Sequence, residues 1–543
     1  MRFYLACLAV ICTLSCSFSY AEIDPPVLSV EMPMRDGVKL PTDLYLPEEG
    51  AQNLPCILIR APNGRLTHCK AFAPLALKGY VVAIQDTRSR IDSEGKTMPY
   101  LADGWGTQQD GYDAVQWLAK SPYTNGKVGT LGASAQGITQ LLMAPSCPPN
   151  LVCQHIGVAA SSIFDQGIFA GGQLRKNQVE QWLNYYAPHP SVLNEVANQP
   201  SYNDFWSHFD TCKVAHRVEV PAIHHGGWYD TFCQGTIDSF LSRQKNGGPG
   251  ARGNQKMIIG PWTHFWPEST DLGDYPIPVA GQQAPVDFSP ARWFEYYLKG
   301  IENGIEAIPA VTYYVMGPFD GTPSSGNVWR TAETWPPEAT QTSLYLEASG
   351  KLVEQPPAQG SIDFCYDPAN PCPTLGGRNL FLKAGPMDQR PLEEREDVLV
   401  FTSEPLKGDT EVTGRITAQV LFSTNVKDTD VVVRLTDVYP DGTSVLISDG
   451  IRKLSDVFPE GHTVGKPRGP RYIDVDLWST SMVFAKGHRI RVSITGSNYP
   501  RFDRATNLPR YTVATEPFPI AKNSVHVGGV RGSRIILPVV RKS

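Results

Sequence analysis

The sequence predicts an α/β sheet unit interrupted by a helical insertion and followed by an all-β unit. Three observations carry this: short apolar runs alternating with helix-period segments early in the chain, a Gln-, Asn- and aromatic-rich helical stretch before that alternation resumes, and helix-free strand-like runs beyond about residue 338. A chain of 543 residues is several times the usual domain size, so two or three packed units are expected.

After a strand-like opening, Leu54 to Arg60 and Tyr80 to Gln85 are short apolar runs of the kind that form buried parallel strands. Asp110 to Leu118 spaces Tyr112, Val115 and Leu118 for one buried helix face. A strand at Val128 to Gly132 leads into a sharp turn at Ser134 and a helix from about Gly137 to Met143. From about Asp165 to His216 the segments are helix-like, Gln173 to Tyr186 among them, and read as a cap inserted within the sheet. Strands resume at Val218 to Ile223 and Met257 to Gly260. Further on, Glu411 to Phe422, Asp430 to Val438, Ser444 to Ile447, Arg471 to Leu477, His488 to Thr495 and Ser533 to Val540 are spaced by Gly, Pro and Asp turns, which suggests a sandwich or jelly roll. Residues 354–375 read as a loop crossing into it. The expected organisation is a leader at 1–21, a sheet unit at 22–160 and 218–337 split by a helical cap at 161–217, and a β unit at 338–543.

Composition narrows the function. A net charge of -6 carries no basic excess, so no nucleic-acid partner is expected. Met1-Arg2, a short apolar run from Phe3 to Leu14 and the small residues before Glu22 have the pattern of a signal peptide cut after Ala21. Export follows, to the periplasm or the medium, with no membrane attachment after cleavage. Cys7, Cys12 and Cys16 leave with the leader; the even number remaining suggests disulfides, with nearness favouring Cys147 with Cys153 and Cys365 with Cys372, and Cys56 with Cys69 and Cys212 with Cys233 less determined. No metal site is expected, because no C-x-x-C pair occurs and His224 and His225 are adjacent on a strand, facing opposite ways.

The segment richest in chemistry is Gly132-Ala133-Ser134-Ala135-Gln136-Gly137, a G-x-S-x-x-G run between a strand and a helix. A serine at such a turn is exposed above the sheet, small neighbours keep the bend free of clashes, and the Ala135 amide lies at a helix N-terminus where negative charge is favoured. A serine nucleophile needs a base and a carboxylate that fixes the base's tautomer, and α/β-hydrolases supply them later, at strand ends, in the order Ser, acid, His. Asp230 follows the strand ending at Gly226, and His264 follows the strand ending at Gly260. Either could be a plain cap or loop residue. Their order, downstream of Ser134, points to a triad.

With these residues in view, the chain resembles the cocaine-esterase-like (CocE/NonD) serine hydrolases, related to the X-prolyl dipeptidyl peptidases and α-amino-acid ester hydrolases. The resemblance covers nearly all of the chain after the leader and rests on Met34-Arg35-Asp36-Gly37-Val38-Lys39-Leu40, Gly79 to Val82, Gln85-Asp86-Thr87-Arg88 with Ser93-Glu94-Gly95, Gly129 to Gly137, Gly227 to Asp230, Gly260 to His264, and Gly496 to Arg504. It implies an α/β-hydrolase core, a helical cap, a C-terminal jelly roll, and Ser134, Asp230 and His264 as the triad.

The departures narrow the expected activity. Where the family has Tyr after the nucleophile this chain has Ala135, and only the backbone N–H is needed there. The family's oxyanion-binding Tyr is replaced by Asn63, within Arg60-Ala61-Pro62-Asn63-Gly64-Arg65. Where the amino-acid ester branch places acidic residues after the catalytic Asp, Thr231-Phe232-Cys233 follow, which disfavours a free α-amino substrate. Asp86 and Arg88 are expected to tie loops together. Trp182, Tyr185, Tyr186, Tyr202, Phe205 and Trp206 fit either an acyl pocket or the core of the cap. The expected protein is a cofactor-free serine hydrolase that cleaves small carboxylic esters through an acyl-enzyme on Ser134, with Ala135 and Asn63 as oxyanion donors. Amide or X-Pro peptide cleavage is the main alternative. A non-catalytic surface-binding protein on a hydrolase fold is the alternative of a different class.

Overall fold

A computed structural model describes residues 25, 27–88, 98–186, 189–457, 469–509 and 515–541. The leader and the Ser93 to Gly95 motif lie outside the described residues. Ten strands form one mixed sheet: β1 (Val27–Pro33), β2 (Lys39–Tyr45), β3 (Leu54–Ala61), β4 (Val81–Asp86), β5 (Thr124–Ala133), β6 (Leu151–Gly157), β7 (Ala222–Gly227), β8 (Gln255–Gly260), β9 (Val311–Val315) and β10 (Val328–Ala332). Their spatial order is β1-β2-β4-β3-β5-β6-β7-β8-β9-β10. From β4 through β9 every pairing is parallel, and the antiparallel strands lie at the two margins. Parallel strands covered on both faces must be apolar throughout, and β4 is buried at every residue. Helices α1 (Arg65–Phe72), α2 (Asp110–Lys120), α3 (Ala135–Met143), α7 (Cys233–Asn246) and α8 (Pro290–Lys299) provide the crossovers and cover. This is the α/β-hydrolase core, and its strand ends carry the residues considered below.

Between β6 and β7 the chain leaves the sheet to form α4 (Lys176–Tyr186), α5 (Pro190–Ala197) and α6 (Asp204–Ser207). Their apolar faces, with Val179, Trp182, Leu183, Val192 and Trp206, close into one cluster with Tyr100 and Ile138 of the core. The expected strand at Val218 begins only at Ala222. Val218 and Val220 are still buried, but Val218 O accepts from Gly248 N at 2.7 Å and Pro221 has no N–H to continue a ladder.

The C-terminal β unit packs two sheets. One runs β12-β11-β21-β15-β20-β13, with β18 also paired to β15; these are β11 (Thr340–Leu346), β12 (Leu352–Val353), β13 (Gly360–Tyr366), β15 (Thr410–Thr424), β18 (Arg471–Phe484), β20 (Ala521–Val527) and β21 (Arg534–Val540). The other runs β14-β19-β16-β17, from β14 (Leu399–Thr402), β16 (Asp430–Val438), β17 (Ser444–Lys453) and β19 (Arg489–Thr495). Residues 360–366 are therefore a strand and not the expected loop: Phe364 and Tyr366 alternate inward while the strand pairs with β20. Its outward face is polar and exposed, which hides the period in the sequence.

The expected disulfides are corrected by the structure. All eight described cysteines are free thiols. The members of each expected pair have different surroundings. Cys153 is buried in β6 while Cys147 Sγ donates to Arg217 O at 2.9 Å; Cys365 is exposed on β13 while Cys372 is buried beside Arg434. Cys56 is buried in β3 while Cys69 Sγ donates to Leu66 O at 3.2 Å; Cys212 Sγ donates to Ser161 Oγ at 3.2 Å, away from the buried Cys233 of α7. Nearness in sequence does not bring thiols together when the two lie in different elements with different surroundings.

One buried cation staples the sheet unit to the β unit. Arg378 donates from Nε to Trp228 O at 2.9 Å, from Nη1 to Ser448 Oγ at 3.0 Å and Leu477 O at 3.2 Å, and from Nη2 to Ser479 O at 2.8 Å. Its residue is 1% exposed. Replacing it by Met removes the donors while their acceptors stay buried, so Arg378→Met should cost about 2–4 kcal/mol of stability. A shift of the urea midpoint checks this; an unchanged midpoint would show that the staple contributes nothing.

Candidate active site

Ser134 stands between β5 and α3 with φ 56° and ψ -122°, a left-handed conformation that a non-glycine residue adopts only when its surroundings enforce it. Here they do. Ser134 N donates to Gly157 O at 3.0 Å, and Ser134 O accepts from Ile138 N at 2.9 Å. A Cβ at Gly132 would lie 2.4 Å from Gln136 Cβ, and one at Gly137 would lie 2.8 Å from both Ala159 Cβ and Gly157 O. The G-x-S-x-x-G spacing is thus a packing requirement of the turn, and it leaves Ser134 half-buried at the sheet's edge while Ala135 and Gln136 are buried.

The other two side chains arrive from neighbouring strands. Asp230 follows β7 and is fully buried; His264 follows β8, and its side chain is 1% exposed. His264 Nε2 lies 2.9 Å from Ser134 Oγ, and His264 Nδ1 lies 2.6 Å from Asp230 Oδ1. The Phe232 and Phe265 rings meet the imidazole at 77° and 90°, with centroids 5.6 and 5.5 Å away. A ring held edge-on from two directions and bonded at both nitrogens has one orientation. The arrangement can pass a proton from the hydroxyl to the imidazole while the carboxylate receives the Nδ1–H.

The two turns are also joined through their backbones. Trp228 N donates to Gly260 O at 2.9 Å and Tyr229 N to Trp262 O at 3.0 Å. Trp262 is anchored by its indole N–H to Gly281 O at 2.8 Å and by stacking on Trp266 at 3.7 Å.

On the side expected to hold the oxyanion, Ala135 N opens helix α3, and no side chain caps that end. Asn63 lies in the loop after β3, between Pro62 and Gly64, and is 5% exposed. Its Oδ1 accepts from Gln136 Nε2 at 3.5 Å and its backbone O accepts from Thr67 Oγ1 at 3.1 Å, which leaves its Nδ2 without an acceptor among the described residues. The loop is fixed by Arg65, whose N and Nη1 each reach Asp86 at 2.6 Å and whose Nε reaches Asp43 at 3.0 Å. Asp86 therefore ties loops, and so does Arg88, through Asp110 at 2.6 Å and Asp36 at 3.0 Å.

Trp182, Tyr186 and Trp206 are buried in the cap's own core, with Tyr185, Tyr202 and Phe205 packed partly buried on it. That cluster is continuous with Ala135 and Phe232, so the cap's aromatic core reaches the residues next to Ser134 and Asp230. His224 and His225 do face opposite ways: His224 Nε2 pairs with Gln255 Oε1 at 3.0 Å, whereas His225 packs against His155 and Phe288. Burial pushes both imidazoles down to about 3, which keeps them neutral. Three contacts to the Asp230 turn were not foreseeable from sequence: those of Arg175, Gln178 and Arg378.

A family model described as X-Pro dipeptidyl-peptidase (S15 family) matches residues 36–188 and 177–266, and one described as the X-Pro dipeptidyl-peptidase C-terminal non-catalytic domain matches residues 303–536. Cocaine esterase of Rhodococcus sp. (strain MB1 Bresler) is 28% identical, over 95% of this chain and 98% of its own. Among solved structures, an aminopeptidase from the marine sediment archaeon Thaumarchaeota archaeon matches with a TM-score of 0.80 at 24% identity, covering 95% of this chain and 97% of its own. An α-amino acid ester hydrolase matches with a TM-score of 0.76 at 24% identity, covering 96% of this chain and 98% of its own. Both structural likenesses are likenesses of fold.

The close approach of the two turns makes a prediction at adjacent glycines. A Cβ on Gly227 would lie 2.1 Å from Trp262 O, a backbone atom that cannot swing aside, whereas one on Gly226 would meet only Thr236 side-chain atoms at 3.1 Å and beyond. Gly227→Ala should therefore cost roughly 2–4 kcal/mol of stability and at least about tenfold in turnover, while Gly226→Ala stays within about 1 kcal/mol. Melting temperature and ester hydrolysis measured side by side check the contrast; equal behaviour of the two variants would contradict it.

Proposed function

The chain is a cocaine-esterase-like (CocE/NonD) serine hydrolase related to the X-Pro dipeptidyl peptidases, and we propose that it cleaves carboxylic esters of small, uncharged acyl groups through an acyl-enzyme on Ser134. The observation that carries this reading is the imidazole of His264, bonded at once to Ser134 Oγ and to Asp230 Oδ1. As Oγ attacks the ester carbonyl carbon, its proton passes to His264 Nε2, and the imidazolium is stabilised by Asp230. When the C–O bond breaks, the same proton goes to the departing alkoxide oxygen. Water then attacks the acyl-enzyme, gives a proton to Nε2, and releases the acid as Ser134 Oγ takes that proton back. No cofactor takes part.

The preference for uncharged acyl groups rests on the residues after the acid. Thr231, Phe232 and Cys233 carry no charge, and Phe232 packs on His264, so a substrate ammonium would lose its hydration there with no carboxylate from these three residues to offset it. A panel of p-nitrophenyl esters, their α-amino analogues, simple anilides and X-Pro anilides tests the substrate class. Fastest turnover is expected on the plain esters; faster turnover of the amino esters or X-Pro anilides would overturn this choice of bond and acyl group. Asp230→Asn should lower kcat by about 10⁴-fold, and near wild-type activity would remove Asp230 from the assignment.

Charge on the tetrahedral oxygen needs two donors. The Ala135 N–H is one, and Asn63 Nδ2 is the other, its amide oriented by Gln136 at its Oδ1. Asn63→Ala is expected to reduce kcat by roughly 100- to 1,000-fold with little change in KM. Unchanged kinetics would transfer the role to a backbone amide of the same loop.

A further inference from the structure

Arg175 lies in the cap between Leu174 and helix α4 and is 2% exposed. Its guanidinium spends its hydrogen bonds on uncharged acceptors: Gln166 O, Thr231 O at 3.3 Å from both Nη atoms, and Thr231 Oγ1 at 2.6 Å from Nη2. Thr231 is the residue after Asp230. Its hydroxyl donates onward to Gln178 Oε1 at 2.5 Å, and Gln178 Nε2 returns to the cap at Gly167 O, 2.8 Å away.

The segment that carries Arg175 is itself held by the β unit. Asp503 N donates to Leu174 O at 2.9 Å and Asn177 N donates to Pro500 O at 3.1 Å. The Pro500 carbonyl and the Asp503 amide belong to Gly496 to Arg504, the β-unit motif singled out by sequence. The same motif grips Asp449 through Asn498 at 3.0 Å and Arg501 at 2.6 Å. An unbroken chain of contacts thus runs from this motif through Arg175 and Thr231 to the residue beside Asp230.

The charge around Arg175 is mixed. Burial pushes its guanidinium down to about 9, Arg501 and Arg378 act in the same direction, and Asp230 and Asp449 oppose them. A cavity of about 310 Å³ adjoins it and brings Asp165, Asp238 and Asp476 with Arg415 and Arg452 to face it. Asp230 Oδ2 is buried and takes no hydrogen bond from a described residue. Its charge is met by His264 at Oδ1 and by the field of Arg175.

We propose that Arg175 is a positioning residue for the reaction: clamped by the β unit, it fixes the Asp230–Thr231 turn and so holds the Asp230 carboxylate against His264. The inference rests on the reading of Ser134, Asp230 and His264 as a triad. A staple that only held the fold together would lower stability and leave the kcat of the folded enzyme unchanged, whereas a residue acting through Asp230 lowers kcat only while Asp230 is present.

The test follows hydrolysis of p-nitrophenyl acetate by Arg175→Met, Asp230→Asn and the double variant of the full chain. Arg175→Met should lower kcat by about 10- to 100-fold with KM within about threefold. On the Asp230→Asn background it should change kcat by less than about twofold, since a residue acting through Asp230 has nothing left to position. Wild-type kcat in Arg175→Met, or a loss carried in full onto Asp230→Asn, overturns the proposal while leaving the triad standing. Near wild-type activity of Asp230→Asn alone sinks the triad reading and this inference with it. If Arg175→Met does not fold, Thr231→Val removes the same hydroxyl link, with an expected loss in kcat of about 3- to 10-fold; unchanged kcat in Thr231→Val overturns the positioning role.

Discussion

The turn from Gly227 to Thr231 is the part of the molecule on which the rest depends, because it must hold a fully buried carboxylate against a histidine brought by another strand. It is secured from three directions. The neighbouring strand end takes Trp228 N and Tyr229 N on Gly260 O and Trp262 O. The β unit takes Trp228 O with Arg378 and receives the Tyr229 hydroxyl on Leu446 O at 2.9 Å. The cap takes Thr231 with Arg175 and Gln178. A buried charge is tolerable only where its partners are fixed, since removing one leaves the other desolvated and unpaired. That requirement explains why neither the cap nor the β unit is a detachable ornament of the sheet.

The nucleophile's side is governed by space. Ser134 is driven to positive φ by a turn in which Gly132, Gly137 and Gly157 permit backbone and side chains to approach where any larger residue would collide. The loop after β3 is brought in beside it and locked by the Arg65 pairings with Asp86 and Asp43. Parallel topology does the remaining work: β3, β5, β7 and β8 all end on one edge of the sheet, so residues far apart in sequence converge without any long-range search for a partner.

What the sequence revealed about the site follows from this geometry. Ser134, Asp230 and His264 each follow a strand, and strand ends are legible as apolar runs stopped by Gly or Pro. The fold class, with its cap and β unit, was legible for the same reason of period and spacing. Arg175 and Arg378 were not, because a buried arginine whose partners are carbonyl groups on another unit leaves no local pattern. Residues 360–366 were missed because only Phe364 and Tyr366 face inward, and Val218 to Pro221 imitated a strand because buried valines need a core and not a ladder. The cysteines misled because an even count and nearness in sequence say nothing about whether thiols meet.

The central claim is that Ser134 is made nucleophilic by His264 and Asp230. Reaction with a fluorophosphonate, followed by peptide mass mapping, examines it directly, because phosphonylation requires an activated serine and does not depend on the acyl group preferred. A single adduct is expected on the peptide carrying Ser134, lost in Ser134→Ala and formed far more slowly in His264→Ala. An adduct on another serine, or labelling of Ser134 at an equal rate without His264, would contradict it.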